Sequence, residues 1–412
     1  MADTSVVAAG STSLEQRNAL WGPYWTSTTV GAFVYFDDSD IPNYARTIDG
    51  GANWSLTAVG SNTSCKLCAY FDRETPEYVA NSLLHIWWIE VTSGVLKYRT
   101  LDIASDTLGT ERTVATLATG ETALQTCRLY GAKLRGGNLL CGGWVDATTD
   151  AAFSYRSTDA GANWTSRAAA HESDVLDSGR LYPADTGDDA DAALIYHDYS
   201  ADEVSVKMYD DSGDSWAETS IATGINPATN NYGPNYDGAL RHSDGLIVCA
   251  FWTEVDAAGS DLITHTVNPN SIAAPTIAAG ANVLTDSGES GTCAVAINQQ
   301  NNDVYVAYIT GATFQTAVGA KYKVSTDDLG SWDTQVAYSE DTDDDLRWVS
   351  GPRTIGDAGG FIQWSFYNDD LLDIYVNLNN DVAISAVAAA AIHAGPRVNI
   401  NFLKSKLSGL VN

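Results

Sequence analysis

Basic residues, methionine and long apolar runs are scarce in this sequence of 412 residues. Lysine and arginine number 22 against 52 aspartates and glutamates, which gives a formal net charge of −30 at pH 7. A charge of this sign repels polyanions and argues against nucleic acid or an anionic membrane as a partner. No run of about 18 apolar residues occurs, so no insertion into a membrane is expected.

The N-terminal segment argues against a secretory signal, and the cysteines argue against a zinc site. The segment MADTSVVAAGSTSLEQ has neither a basic start nor an apolar stretch, so we predict no secretory signal. The cysteines are Cys65, Cys68, Cys127, Cys141, Cys249 and Cys293. Cys65 and Cys68 form a close pair without a second pair or a histidine nearby, so a zinc site is not expected. We predict reduced, buried thiols, no metal and no cofactor.

One short pattern recurs along the chain. It occupies Thr47–Trp54, Ser157–Trp164, Tyr209–Trp216 and, in degraded form, Ser325–Trp332. The first three copies keep Asp, Gly and Trp at the same offsets: Asp49, Gly51 and Trp54; Asp159, Gly161 and Trp164; Asp211, Gly213 and Trp216. The pattern favours a tight turn between strands, in which Asp accepts hydrogen bonds from amides, Gly takes a positive φ angle and Trp fills the gap between layers. A recurring turn predicts a repeat architecture.

This turn resembles the Asp box, S/T-x-D-x-G-x-x-W, of sialidase-type β-propellers with BNR repeats. The resemblance covers the scaffold over about 380 residues and implies a propeller. In such a propeller the turns join the third and fourth strands of a blade, on the face opposite the loops that enter the innermost strands. The resemblance therefore implies a structural role for Asp49, Asp159 and Asp211.

Apolar, strand-like runs recur at a spacing of about 54 residues. They are Val30–Phe36, Leu83–Val91, Asn138–Val145, Ala192–Tyr199, Leu246–Glu254, Val304–Thr310 and Phe361–Tyr367. Each follows a shorter segment, which is Gly351–Ile355 in the seventh unit, and most precede another alternating run, so each unit fits a four-stranded antiparallel meander. Such sheets bury their faces by stacking radially. We predict an all-β, seven-bladed β-propeller with Asp-box turns. Six or eight blades, or two β-sandwiches, are the alternatives.

The same period sets the domain boundaries. We predict an N-terminal arm at 1–20, the propeller at 21–380, and a closing segment with a tail at 381–412. The alanine-rich stretch Ala383–Ala394 fits either a short helix or a strand that closes the ring. The basic tail after it either anchors the propeller or frays.

Arginines and tyrosines occupy similar positions near the starts of the predicted inner strands. The candidates are Arg128, Arg180 and Arg353, in units three, four and seven, and Tyr24, Tyr182 and Tyr236 at the same level. Guanidinium groups bind carboxylate or sulfate through two parallel hydrogen bonds, so these residues are candidates for holding an acidic sugar. The alternative is that the arginines pair with nearby acids, such as Asp341–Asp345, in a network along the channel.

The resemblance to sialidases also bears on chemistry. Sialidases hold an acidic sugar with three arginines and use a Tyr–Glu nucleophile pair and an Asp general acid. Here no Arg-Ile-Pro motif occurs near the N-terminus, because Ile41 and Pro42 follow Asp40. No glutamate carries a motif that marks it as the partner of Tyr24 or Tyr236. The resemblance thus implies the scaffold and not the active-site signature.

Histidines and acidic turns give two further indications. His197 ends a predicted second strand, and His171 precedes the fourth inner strand near Arg180 and Tyr182. These residue types are similar to those of propeller polysaccharide lyases that cleave uronic acids by β-elimination. Acidic turns such as Asp37–Asp40 offer oxygen ligands, but their spacing matches no calcium loop and indicates solvated turns.

Together these features predict a non-catalytic recognition or assembly module that binds a glycan or acidic sugar and contacts other protein subunits. A virion tail, fibre or capsid-surface protein that touches host glycans fits this interpretation, as does another surface reached by non-standard export. The alternative is an enzyme, either a sialidase-like glycoside hydrolase or a uronate polysaccharide lyase, that acts at Arg128, Arg180 and Arg353. A structural spacer that binds no sugar is the third possibility.

Overall fold

The chain forms an all-β ring of seven antiparallel sheets, as its computed structural model shows. The prediction of a seven-bladed β-propeller is confirmed. The structure describes residues 4–7, 20–117, 128–145, 151–170, 178–198, 201–225, 236–253, 261–285, 290–311, 320–337, 346–355, 363–368 and 373–376. No helix in these ranges is long and apolar enough to cross a membrane.

Each blade is a meander whose first strand lies nearest the axis, where the first strands of neighbouring blades contact one another. The first strands are Leu20–Trp25, Ser64–Phe71, Arg128–Lys133, Ser178–Pro183, Tyr236–Leu240, Ser290–Asn298 and Leu346–Ser350. The second strands are Gly31–Phe36, Leu83–Glu90, Leu139–Val145, Ala192–Asp198, Ile247–Trp252, Val304–Gly311 and Ser365–Asn368. Second strands are almost wholly buried, because a neighbouring blade covers each of their faces.

The third and fourth strands complete each blade toward the rim. The third strands are Pro42–Thr47, Val95–Asp102, Ala151–Ser157, Glu203–Asp210, Leu262–Asn268, Ala320–Ser325 and Asp373–Val376. The fourth strands are Ser55–Ala58, Arg112–Thr116, Thr165–Ser166, Ser215–Thr223, Thr276–Ala279, Val336–Ala337 and Thr4–Val7. The short strand Thr107–Leu108 pairs with the third strand of blade two, and two 3-10 turns follow that blade's first strand at Asp72–Glu74 and Pro76–Tyr78.

The ring is closed by the N-terminal end of the chain. Thr4–Val7, which lies in the segment predicted as an arm, pairs antiparallel with Asp373–Val376 and supplies the outermost strand of blade seven. Val7 is buried in the core. This pairing covers an edge that would otherwise expose unpaired backbone groups. The predicted closing segment at 381–412 lies outside the described residues.

Blade seven departs from the predicted strand positions. Its first strand is Leu346–Ser350, and not the predicted Gly351–Ile355. Thr354–Ile355 instead pairs parallel with the first strand of blade six, where the Ile297 and Gln299 amides donate to the Arg353 and Ile355 carbonyl oxygens. Gly351 and Pro352 interrupt the strand, because proline has no amide hydrogen to donate to a ladder.

The core between the blades is built from large aromatic side chains and small residues. Trp87, Trp88, Trp252 and Trp364 are fully buried. Five cysteines, Cys65, Cys68, Cys141, Cys249 and Cys293, are buried free thiols. Burial raises the pKa of Cys68 and of Cys249 to about 12, so these thiols keep their protons and behave as small apolar residues. The sixth, Cys127, lies outside the described residues.

Candidate functional site

Four charged side chains and one tyrosine, from five blades, meet at the propeller axis. Tyr24, Arg180 and Asp237 lie on the first strands of blades one, four and five. Glu74 lies in the 3-10 turn after the first strand of blade two, and Arg353 follows that of blade seven. We call these five residues the axial cluster. The blades are far apart in sequence, and ring closure brings their residues together.

Arg353 is held by two carboxylates. Its Nη1 lies 3.2 Å from Glu74 Oε2, and its Nε lies 3.3 Å from Asp237 Oδ1. Burial by itself lowers the pKa of the guanidinium, but Asp237 and Glu74 outweigh burial and hold that pKa well above its usual value. Arg353 is therefore a fixed positive charge whose hydrogen bonds are directed to protein groups.

Arg180 is held less completely. Its Nε lies 3.5 Å from Asp237 Oδ1, but neither Nε nor Nη1 has a hydrogen-bond partner among the described residues. Its guanidinium carbon stacks 3.9 Å from the ring centroid of Trp21. The side chain is only 7% exposed, so a buried guanidinium retains two donor nitrogens that no described acceptor fills.

The two acids of the cluster differ in how many of their oxygen atoms have hydrogen-bond or ion-pair partners. Asp237 Oδ1 faces both arginines, and its Oδ2 accepts the Val295 amide at 3.0 Å. Glu74 is 4% exposed and has Arg353 as its ion-pair partner, while its Oε1 has no hydrogen-bond partner among the described residues. Burial raises the pKa of Glu74 to about 6, although Arg353 opposes the shift.

The predicted tyrosines surround these charges. Burial raises the pKa of Tyr24 well above its usual value, and Glu74 raises it further. Burial also raises the pKa of Tyr182 well above its usual value; the charge of Arg353 opposes this rise and the charge of Asp237 adds to it. Tyr236 is buried beside Asp237 on the same strand. At neutral pH Tyr24 and Tyr182 are therefore protonated phenols. Of the three tyrosines, Tyr24 lines the cavity described next, and Tyr182 and Tyr236 are not among its described lining residues.

A narrow cavity opens among these residues. It encloses about 340 Å³ when its open mouth is included, and its enclosed part is water-sized. Its lining includes Tyr24, Arg180, Asp237, Cys293 and Arg353. The enclosed part of the cavity is too small for a sugar ring.

The structure does not bring every predicted candidate to this cavity. Arg128 begins the first strand of blade three, but its side chain lies outside the described part, as does all of His171. His197 is buried in the second strand of blade four and is not among the described residues that line the cavity. Burial lowers the pKa of His197 to about 4, so its ring is neutral at pH 7. The acids at Asp341–Asp345 also lie outside the described residues.

Two of the repeated turns share one hydrogen-bond pattern. Thr47 Oγ1 donates to Asp49 Oδ1 at 2.8 Å, the Gly51 amide donates to Thr47 Oγ1, and Asp49 accepts both the amide and the side-chain nitrogen of Asn53. Trp54 Nε1 donates to the Gly51 carbonyl at 2.9 Å. The second copy repeats this pattern with Ser157, Asp159, Gly161, Asn163 and Trp164.

The third and fourth turns differ from what their sequences predict. In the third, Asp210 accepts the Gly213 amide, whereas Asp211 pairs with Arg156 and Arg167. Trp216 Nε1 donates to the Ala168 carbonyl. The degraded fourth copy keeps the serine and aspartate bonds of the first, since Ser325 and Ser331 bond to Asp327 and the Leu329 amide donates to Ser325. Its tryptophan differs, because Trp332 Nε1 donates to the Ala281 carbonyl outside the turn. All four turns join third and fourth strands at the rim, away from the axial cluster.

One acidic group on blade four has the composition of a metal site. Oxygen atoms of Asp198, Glu203 and Glu218 lie within 4.8 Å of one another. Protein donors already engage all three carboxylates: the Ala201 amide donates to Asp198, Ser205 donates to Glu203, and Tyr196 donates to Glu218 at 2.5 Å. Asp37, in an acidic turn, accepts amides of its own turn, which fits the predicted solvated loop.

Comparisons with known proteins identify the fold. No family model matches the sequence, and no curated protein matches it. An ulvan lyase, described as a new family of polysaccharide lyase, has a TM-score of 0.52 and 11% identity over 91% of this chain and 94% of that chain. A ulvan lyase structure with -[GlcA(1-4)Rha3S]- bound has a TM-score of 0.51 at the same identity and coverage.

A sialidase shares the architecture as well. The Trypanosoma rangeli sialidase in complex with sialic acid has a TM-score of 0.50 and 11% identity, over 79% of this chain and 57% of that chain. At such identity these likenesses show a common fold. The predicted resemblance of the scaffold to sialidase-type propellers is therefore confirmed.

Proposed function

We propose that this chain is a non-catalytic recognition propeller that binds an acidic sugar through its carboxylate at the axial cluster. The observation that carries the proposal is the state of Arg180. Two nitrogens of this buried guanidinium have no hydrogen-bond partner among the described residues, and the side chain lines the cavity. Leaving buried donors unfilled costs about 1–3 kcal/mol, which a bound carboxylate would recover.

The surroundings of Arg180 suit a planar anion. Stacking on Trp21 fixes the plane of the guanidinium, so its donors are preorganised for a carboxylate. Tyr24 is a protonated phenol in the same cavity wall. Because the enclosed space is water-sized, one oxygen of the carboxylate would reach into it, and the rest of the carboxylate and the sugar ring would stay at the open mouth.

Two solved structures of this fold contain ligands of the same chemistry. One is the ulvan lyase with -[GlcA(1-4)Rha3S]-, and the other is the sialidase with sialic acid. Both ligands carry a carboxylate. Likeness of fold at 11% identity does not transfer a function, so the proposal depends on the residues of this chain and agrees with those ligands.

The state of Tyr24 supports binding without catalysis. A tyrosine nucleophile needs its proton removed or its pKa lowered. Here burial raises the pKa of Tyr24 and the Glu74 charge adds to the rise. Both arginines also face carboxylates of the protein, so the cluster has no excess positive charge to stabilise an anionic transition state.

A glycoside hydrolase or uronate lyase at the same cluster is the second candidate. The observation that favours it is Glu74, whose pKa of about 6 suits a general acid or base at neutral pH and whose charge acts on Tyr24. In this reading Glu74 accepts the Tyr24 proton while Arg180 binds the substrate carboxylate.

Binding and turnover measurements separate the two candidates. The purified chain would be tested against sialosides, uronic acid oligosaccharides and neutral sugars, with Arg180→Ala as the site variant. Arg46→Ala is the matched control, because Arg46 pairs with Asp106 away from the axis. We expect binding of acidic sugars without turnover, and a loss of at least about tenfold in affinity for Arg180→Ala alone.

Two outcomes would change the ranking. Turnover by the wild-type chain that Arg180→Ala abolishes would favour the enzyme. Equal binding of neutral and acidic sugars, or no binding to any of them, would contradict the proposed site and leave a structural spacer as the best reading.

We further propose that the chain works within a larger assembly, such as a virion tail, fibre or capsid surface. Ile48 and Leu56, in the rim turn and outer strand of blade one, are 66% and 50% exposed and offer apolar contacts to another subunit. Sedimentation of the wild-type chain beside an Ile48→Ser, Leu56→Ser double variant tests this. A wild-type chain that stays monomeric and joins no particle would count against it.

A further inference from the structure

Among the described side chains, the axial cluster is electrically balanced. Arg180 and Arg353 supply two positive charges, and Asp237 and Glu74 supply two negative ones. A carboxylate ligand would add an unbalanced negative charge to a buried site. Uncompensated charge in such surroundings is strongly unfavourable, so binding an acid needs a second, compensating change.

Glu74 is the member of the cluster best placed to provide that change. Asp237 is fixed by two arginines and one backbone amide. Glu74 has the single ion pair with Arg353, and its Oε1 has no hydrogen-bond partner among the described residues. Protonation of Glu74 therefore disturbs fewer contacts, and its pKa of about 6 lies near physiological pH.

The other groups whose charges act with Glu74 are two arginines, one aspartate, two tyrosines and one cysteine. Arg353 and Arg180 stay cationic and Asp237 faces both of them. Burial raises the pKa values of Tyr24 and Tyr70 well above the usual range and that of Cys68 to about 12, so all three are neutral. A change in charge with pH at the cluster is thus assigned to Glu74.

We propose that an acidic ligand binds in the axial cavity together with one proton, which Glu74 takes up from the solvent. The inference rests on the proposed function, because it concerns how the same site accepts its ligand. The ligand carboxylate pairs with the free nitrogens of Arg180, an O–H bond forms on Glu74, and Arg353 remains paired with Asp237. Two positive and two negative charges are again present, and the cluster stays neutral.

Calorimetry on the wild-type chain tests the coupling directly. N-acetylneuraminic acid and glucuronic acid would be titrated between about pH 5 and about pH 8, in pairs of buffers with different ionisation enthalpies. Both probes stay ionised over this range, so a pH dependence reports on the protein. We expect the dissociation constant to fall at least about tenfold from pH 8 to pH 5, with uptake of up to one proton per ligand above pH 6.

A pair of variants locates the proton. Glu74→Gln leaves the cluster with one excess positive charge, so we expect its affinity at pH 8 to reach that of the wild type at pH 5, with no proton uptake. Glu77→Gln is the matched control, because Glu77 is largely exposed and pairs with Arg135. It should keep the wild-type pH dependence. If Glu74→Gln fails to fold, the binding enthalpy of the wild type in the different buffers still shows whether a proton is taken up.

The outcomes distinguish this inference from the proposed function. Wild-type binding that is independent of pH and takes up no proton overturns the coupling and leaves acidic-sugar binding intact. A pH dependence that persists in Glu74→Gln also overturns it. No binding of either acid at any pH overturns both.

Discussion

The guanidinium carbon of Arg180 lies 3.9 Å from the ring centroid of Trp21, and that of Arg353 lies 5.2 Å from the same ring. One indole therefore supports both arginines of the axial cluster through cation–π contacts. Trp21 Nε1 donates to the Leu67 carbonyl at 3.0 Å, which fixes the ring to the first strand of blade two. Trp21 therefore supports both cations beside the carboxylates that face them.

Substitution of Trp21 should affect stability and binding together. Trp21→Leu removes a buried ring, and we expect the free energy of unfolding to fall by about 3 kcal/mol. Loss of the stacking surface should also weaken acidic-sugar binding by at least about tenfold. Denaturant unfolding and calorimetry measure both effects. Trp332→Leu, at the rim of blade six, should lose stability and keep binding; wild-type affinity in Trp21→Leu would contradict the proposed role.

Gly161 is expected to be the least replaceable glycine among the repeated turns. Its φ angle is +87°, and an added Cβ would lie 2.0 Å from Cε1 of Tyr98. The Tyr98 hydroxyl lies 2.7 Å from Nδ1 of His85, so a shift of the ring disturbs a buried hydrogen bond. Gly161→Ala combines the cost of the positive φ angle, about 1–2 kcal/mol, with about 1–3 kcal/mol for overpacking.

Gly224→Ala separates these two costs. Gly224 has a φ angle of +72°, and no atom of the described residues lies within 4 Å of an added Cβ, so we expect its replacement to carry the backbone cost alone. We expect Gly161→Ala to lower the unfolding free energy clearly more than Gly224→Ala. Equal losses would mean that the contact with Tyr98 relaxes freely.

The turns of blades one, four and six should differ in their response to salt. Asp49 and Asp327 accept hydrogen bonds from neutral groups, so Asp49→Ala and Asp327→Ala should lower the melting temperature to a similar extent at low and high salt. Asp211 pairs with Arg156 and Arg167, so the effect of Asp211→Ala should shrink between about 0.05 M and about 1 M salt. Thermal unfolding at both salt concentrations measures this. A salt-independent loss for Asp211→Ala would contradict the assignment.

Asp72 should contribute stability above about pH 4 and lose it in acid. Its carboxylate bonds to His85 at 2.6 Å, to Lys133 at 2.9 Å and to Asn81 at 2.7 Å. Burial favours the neutral acid, but these partners outweigh burial and lower the pKa of Asp72 below its usual value. A carboxyl group with a lowered pKa in the folded state stabilises the fold above its unfolded pKa and ceases to do so as pH falls through the folded pKa.

The substitution Asp72→Asn tests this. We expect it to cost about 3 kcal/mol at pH 7, because it removes one partner of a buried ionic network. The difference from wild type should diminish below about pH 4. Asp38→Asn, in an exposed turn, is the control and should have little effect at either pH. A deficit that stays constant from pH 7 to pH 3 would show that the charge of Asp72 is unimportant.

The fold was predictable because its signal is distributed and local. Each blade carries its own apolar second strand, such as Leu83–Glu90 or Ala192–Asp198, and burial between neighbours makes such runs nearly continuous. Errors arose where the repeat is irregular. In blade seven Thr354 and Ile355 look like part of an inner strand, yet they pair with blade six.

The axial cluster was predictable only in part. Arg180, Arg353, Tyr24 and Tyr182 were identified because they sit at equivalent strand positions. Their acidic partners were missed, because Glu74 and Arg353 are 279 residues apart and Asp237 and Arg353 are 116 apart, so spacing along the chain gives no sign of the pairs. Asp237 did carry one usable signal, since it is next to the tyrosine already chosen on the fifth inner strand.

Adjacent acids caused the difference in the third turn. Asp210 and Asp211 are consecutive, and the sequence pattern selects Asp211 by its distance from Trp216. The hairpin instead pairs Asp210 with Ser215, which directs the Asp210 carboxylate to the Gly213 amide. Conversely, Ser331 replaces asparagine in the fourth turn and makes equivalent bonds to Asp327, although the motif is degraded.

Closure by Thr4–Val7 gives the ring a mechanical weak point. In six blades the outermost strand continues covalently from its neighbour, whereas in blade seven it is held only across the sheet. Thr4 pairs with Val376, so the N-terminal end of one strand lies beside the C-terminal end of the other. A force that pulls these two strand ends apart acts on the hydrogen bonds of the pair one after another. Blade seven is therefore expected to open before the other six blades.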